Sequence, residues 1–187
     1  MSSKIQNFQL EPLVNAHFIK TSLARYEQNN QAKTWELIQA HDSVAILIYH
    51  RDKEAFIVVK QFRPAVYCNN QNGMTVELCA GIVDKDLSLI EIAKEEIEEE
   101  CGYAVKVEDM QRITSFHSSV GFAGSKQTLY YAQVDETMKV SEGGGIDSEE
   151  IEVITLSISE AKAFIFDESI AKSSGLMFAF MWFFARG

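Results

Sequence analysis

The chain has 187 residues, 47% apolar and 24% charged, which suits one globular domain with a real core plus an appendage. Acidic residues outnumber basic ones by 27 to 17, a net charge of −10, which excludes a nucleic-acid surface, because that depends on clustered Lys and Arg. Three cysteines fit no metal-ligand spacing and suit a reducing cytoplasm, the N-terminus lacks a signal pattern, and no apolar run reaches the roughly 18 residues of a membrane span.

From Phe8 to Ala40, His17 to Tyr26 and Lys33 to Ile38 read as two strands joined across Asn29-Asn30-Gln31, a hairpin with turn-forming residues at its tip. A lone hairpin is marginal in water and needs something to pack on, so residues 1–40 are read apart from a main domain at 41–187. Val44 to Tyr49 and Ala55 to Lys60 are β-rich runs separated by a charged turn. Gln61 to Tyr67 leaves the second run and carries Arg63 and Pro64. An arginine fork matches phosphate oxygens in pairs, which makes Arg63 a candidate substrate contact, with a surface ion pair as the alternative. Cys68 to Gly73 reads as a polar loop. Met74 to Leu78 reads as a strand leading into a small-residue turn at Cys79-Ala80-Gly81. Glu77, near the end of that strand, is a candidate for substrate or metal contact or a plain strand glutamate.

Ser88 followed by Glu91 is a capping-box signature, and Gly102 is a helix stop, so a helix is expected from Leu89 to Gly102 with Leu89, Ile92, Ala93, Ile97 and Cys101 on its buried face. Glu96, Glu99 and Glu100 are near neighbours on that helix, and Glu95 and Glu98 add to the repulsion. A solvated acidic face is one reading. The other is a site for a hard divalent cation such as Mg²⁺, which takes one or two carboxylates, waters and substrate phosphates. Gln111 to Phe116 and Gln127 to Val134 read as strands around the loop His117 to Lys126. Its glycines, serines and Lys126 are materials for facing a phosphate or sugar. His117 is open as a base or a structural residue. Gly143-Gly144-Gly145 precedes Asp147, Glu149 and Glu150, and reads as a mobile acidic loop or a merely solvated one. The strand Ile151 to Leu156 and helices over Ser159 to Phe166 and Glu168 to Ala185 close the chain. The apolar run Leu176 to Ala185 is expected to pack into the core or a subunit interface.

Gly81, Glu96, Glu99, Glu100 and Gly102, with Ile97 and Tyr103 at the apolar positions, resemble the Nudix box without insertion. Leu87 stands where that pattern has its first Glu, and Glu95 where it has Arg, two positions that mainly support the loop and helix ends in the family. The strings H-D-S-V, V-K-Q-F-R-P-A-V-Y, V-E-L-C-A-G and G-S-K-Q-T extend the resemblance to the Nudix branch that cleaves UDP-glucose and related nucleoside diphosphate sugars. ADP-ribose hydrolases of the superfamily carry a proline beyond the box, and here none follows Pro64. The resemblance implies an α/β/α sandwich with a mixed sheet and an N-terminal β-hairpin contacting the second subunit of a homodimer. It implies Mg²⁺, with Mn²⁺ as the substitute, held by Glu96, Glu99, Glu100 and the Ala80 carbonyl. A loop glutamate would be the base, best matched by Glu149 with Asp147 and Glu150 behind it. Glu99 is a second catalytic candidate. Arg63, Glu77, Lys126 and Trp35 are the substrate-binding candidates, Trp35 either beside the ligand or as an anchor at the dimer contact. The substrate expected is UDP-glucose. ADP-ribose cleavage, or a binding protein that has lost turnover, are the alternatives.

Overall fold

A computed structural model describes residues 5–146 and 149–186. In chain order the elements are β1 (Ile19–Gln28), β2 (Gln31–Ala40), β3 (Ser43–His50), β4 (Ala55–Phe62), α1 (Pro64–Asn70), β5 (Met74–Glu77), β6 (Cys79–Ile82) and α2 (Leu89–Cys101). They continue with β7 (Gln111–His117), β8 (Lys126–Val134), β9 (Glu152–Ser157), α3 (Ile158–Phe164), β10 (Ala171–Lys172) and α4 (Ser174–Phe184).

Strands β3 and β4 lie at the centre because their side chains are apolar on both faces, and such strands need cover on both sides. Val44, Ile46, Ile48, Ile57 and Val59 pack with Ile92, Ala93, Ile97 and Cys101 of α2. The alternate residues Ala45, Leu47, Phe56 and Val58 pack with Ala161 and Phe164 of α3 and Leu176, Ala179 and Phe180 of α4. The result is the expected three-layer arrangement, with the acidic helix on one side and the C-terminal helices on the other. The apolar C-terminal run belongs to the core: Phe180 stacks on Phe56 at 4.6 Å between ring centroids. No helix among the described residues is long and apolar enough to cross a membrane.

The sheet has eight strands and is mixed. β8 runs parallel to β3 in continuous register from Ser43–Gln127 to His50–Val134, and β7 flanks β8 antiparallel. β6 pairs with the Ser43–Ile46 half of β3, β4 with its Ile48–His50 end, and β4 in turn holds β5 and β9. The β1–β2 hairpin forms a separate sheet whose last pair is Gln28–Gln31. Only Asn29 and Asn30 form the turn, both with positive φ, as a tight two-residue hairpin requires.

Several boundaries differ from the pattern of the sequence. The stretch after Arg63 is helical through Asn70, with Pro64 as the first helical residue, where its fixed φ and missing N–H do no harm. The Asn70 side chain accepts from the N–H groups of Asn72 and Gly73, closing the polar segment behind it. Cys79-Ala80-Gly81 is not a turn but strand β6, because β3 offers it a partner edge. α4 begins at Ser174 rather than Glu168, since the Ser173 hydroxyl accepts from the Leu176 N–H and Ala171–Lys172 pair with β5. A second capping box, Ser157 with Glu160, starts α3 at Ile158.

Candidate active site

Helix α2 starts where its sequence says it should. The Ser88 hydroxyl accepts from the Glu91 N–H, the Glu91 carboxylate accepts from the Ser88 N–H, and Gly102 ends the helix in the left-handed region at φ 76°. With both ends fixed, the helix carries Glu96 and Glu100 against β6. Glu100 is only 5% exposed, and its Oε2 accepts from the Ala80 N–H at 3.0 Å. A Cβ on Gly81 would lie 2.0 Å from Oε1 of Glu96, so any larger residue here displaces that carboxylate. The glycine of the motif thus serves close approach: it lets a strand backbone touch a carboxylate.

These carboxylates are electrostatically strained. Burial first, then repulsion from Glu99, Glu149 and Asp84, pushes Glu96 up to about 7, with Lys85 acting in the opposite sense. Burial also leads at Glu100, which is pushed up to about 8 by it together with Glu96 and Glu149, against the Ala80 hydrogen bond. A divalent cation would relieve both penalties, so the donor chemistry fits a hard metal. Among the described residues no three His, Cys, Asp or Glu side chains close into a ready cage.

The glycine loop was open as a mobile segment, and its geometry gives the glycines another use. Gly144 N–H donates to the Glu100 carbonyl at 2.9 Å and Gly145 N–H to the Glu99 carbonyl at 3.1 Å. The loop therefore caps the carboxyl end of α2. Gly143 has φ 68°, and a Cβ there would lie 2.3 Å from the Glu100 carbonyl oxygen. Docked in this way, the loop brings Glu149 within electrostatic reach of both Glu96 and Glu100. Glu149 is held by two reciprocal bonds with Ile146: its N–H donates to the Ile146 carbonyl at 3.1 Å, and its carboxylate accepts from the Ile146 N–H at 3.1 Å. Of the other acids in this loop, Asp147 lies outside the described residues, and Glu150 is exposed.

Arg63 and Glu77, two separate candidates in the sequence, are joined to each other. The Arg63 Nε and a terminal nitrogen each donate to Glu77 at 2.8 Å, and the Thr75 hydroxyl donates to the same carboxylate at 2.6 Å. Burial opposes ionisation of Glu77, but these donors outweigh it and hold the carboxyl below its ordinary range. The fields of Glu100 and Glu149 reach Arg63, which places the pair beside the carboxylate cluster. Trp35 and Lys126 lie on the hairpin side. The indole N–H donates to the Gly121 carbonyl at 2.6 Å, and Ile38 N–H donates to the Phe122 carbonyl at 2.7 Å. A cavity of about 560 Å³ opens between hairpin and loop, lined by Trp35, Ile38, Asp42, Phe122 and Ser125. Lys126 begins β8, its backbone N–H held by Asp42 at 2.8 Å, at the end of the sheet where Ser43 pairs with both Gln127 and Ile82. His117 is used structurally, its Nδ1 2.8 Å from the Gly124 carbonyl.

Two residues escaped the sequence reading. Lys85 lies 2.8 Å from Glu95 and 3.8 Å from Glu99. Asp42 braces the loop strand. Neither follows a periodicity, and only the junction of loop and helix reveals Lys85.

A family model for the NUDIX domain matches residues 39–174. The chain is 38% identical over 189 residues to uridine diphosphate glucose pyrophosphatase NUDT14 of Bos taurus, covering 86% of this chain and 85% of that protein. It is 36% identical over 198 residues to the protein of the same name from Mus musculus, covering 90% and 89%. To GDP-mannose pyrophosphatase of Cronobacter sakazakii it is 36% identical over 127 residues, covering 67% and 65%. The glutamates gathered on α2 against Gly81, the sandwich that holds them and these matches lead to one assignment: the chain belongs to the Nudix family.

Proposed function

We propose that the protein hydrolyses the diphosphate bond of a nucleoside diphosphate sugar, with UDP-glucose, giving UMP and glucose 1-phosphate, as its leading substrate. The observation that carries this reading is the convergence of Glu96, Glu100 and Glu149 beside β6, where Gly81 leaves room for the Glu96 carboxylate. The similarity to UDP-glucose pyrophosphatases over most of the chain supports the substrate class. GDP-mannose is the second substrate to test, from the matches to GDP-mannose pyrophosphatases.

Glu96, Glu99, Glu100 and the Ala80 carbonyl would hold Mg²⁺, or Mn²⁺ in its place. Such an ion, when bound, neutralises charge on the diphosphate and acidifies a water. Glu149 accepts the proton of the water that attacks phosphorus. Arg63 meets the departing phosphate, while Glu77 fixes the plane of its guanidinium. Trp35 and Phe122 line the space for the nucleotide or sugar end of the substrate, and Lys126 follows directly on its lining residue Ser125. The hairpin exposes Tyr26 and Trp35 on one face and Leu23 on the other, apolar positions available to the second copy of a homodimer.

The test is phosphate release, after addition of a phosphatase, from UDP-glucose, UDP-galactose, GDP-mannose and ADP-ribose with Mg²⁺. UDP-glucose is expected to lead, with Glu149→Gln slower by about 10²- to 10⁴-fold in kcat. Tight UDP-glucose binding without any product would replace this reading with that of a binding protein.

A further inference from the structure

We infer that Lys85 is a positioning residue for the carboxylate cluster, closing a loop-to-helix clamp whose polarity is opposite to that of the Nudix pattern. The pattern puts its acid in the loop and its arginine on the helix. Here the loop position is Leu87 and the helix position Glu95, which taken alone leaves an extra negative charge next to Glu96 and Glu99. Two residues before Leu87, Lys85 supplies the cation from the loop side, its Nζ 2.8 Å from Glu95 Oε2 and 3.8 Å from Glu99 Oε1. The clamp is rebuilt with lysine in the loop and glutamate on the helix.

Its position decides what it does. Lys85 and Glu95 are each 39% exposed, so the pair adds little to global stability. Its local effect is larger, because Lys85 also contacts Glu99, one turn from Glu95, and its field reaches Glu96. Lys85, Glu95, Glu99, Gly143, Gly145 and Ile146 line one groove of about 820 Å³ that runs from the helix to the glycine loop. Drawing Glu95 toward the loop keeps a fourth carboxylate from turning into the cluster, and steers Glu99 with it.

The test uses Lys85→Glu, Glu95→Lys and the double swap, which restores the net charge. Metal affinity is read without turnover, by electron paramagnetic resonance of free Mn²⁺, beside thermal midpoints and the Mg²⁺ half-saturation of hydrolysis. Simple electrostatics has Lys85→Glu binding Mn²⁺ more tightly, because it adds negative charge. Positioning has it binding about tenfold more weakly, as does Glu95→Lys, with most of the loss recovered in the swap. Lys85→Met, which brings no new charge, is expected to weaken binding, and Lys85→Arg to keep it. Lys85→Glu binding as tightly as the parent, or a swap no better than its single variants, overturns the inference. The kinetic arm rests on the hydrolase reading above. A parent protein that cleaves none of the nucleotide sugars yet shows this Mn²⁺ pattern refutes that reading and leaves the clamp standing.

Discussion

At the scale of single residues, the arrangement depends on two contacts that side-chain chemistry alone does not advertise. Gly81→Ala would drive a methyl group into Glu96, so the variant is expected to fold but to need much more Mg²⁺ for hydrolysis; unchanged Mg²⁺ dependence would show that Glu96 can move aside freely. Glu96 and Glu100 make a second prediction. Their folded-state values of about 7 and about 8 lie above the ordinary 4.5, so between those limits the folded chain holds more protons than the unfolded one. Metal-free stability therefore falls as pH rises from 4.5 through 8 on their account. Thermal melts are expected to show Mg²⁺ stabilising the protein strongly at pH 8 and hardly at pH 5. Glu77 acts in the opposite direction, its contribution being lost only as acid titrates it below 4.5. The helix glutamates were legible because their spacing is periodic. The Arg63–Glu77 pair was not, because it joins the N-cap of α1 to the end of β5, a contact that no local pattern encodes.

Among elements, α2 was the most readable, since both of its ends are written in side chains. Ser88→Ala removes half of its capping box and is expected to cost about 1 kcal/mol, seen as a lower urea midpoint. The glycine loop stayed open between a mobile and a solvated reading for a physical reason. A run of glycines announces conformational freedom, but the same residues are required where backbone meets backbone at positive φ, and sequence does not distinguish the two uses. Gly143→Ala is expected to lower both kcat and the thermal midpoint; full activity would return the loop to the status of a free segment. β6 and α1 were missed because β6 exists only by pairing with β3, and α1 is too short for periodicity to show.

For the whole molecule, the layers were foreseen from the resemblance and are explained by β3 and β4 being apolar on both faces, while the strand order could not be read from the chain. The parallel β3–β8 pairing joins Ser43 to Gln127, and only the finished sheet specifies it. Phe180, fully buried and stacked on Phe56, ties the C-terminal helix to that sheet. Phe180→Ala is expected to cost about 3–5 kcal/mol in denaturant unfolding. If the hairpin meets a second copy, Leu23→Asp, at a position 51% exposed in the single chain, shifts the sedimenting species from dimer to monomer without lowering the thermal midpoint of the sandwich. The amides of Gly144 and Gly145 on the last carbonyls of α2 have one more consequence, for redesign. A glycine loop that doubles as the stopper of the glutamate-bearing helix is not a modular graft. Lengthening it, or exchanging it for that of a relative with another sugar preference, would retune the helix end as well, so loop and helix have to be transplanted as one piece.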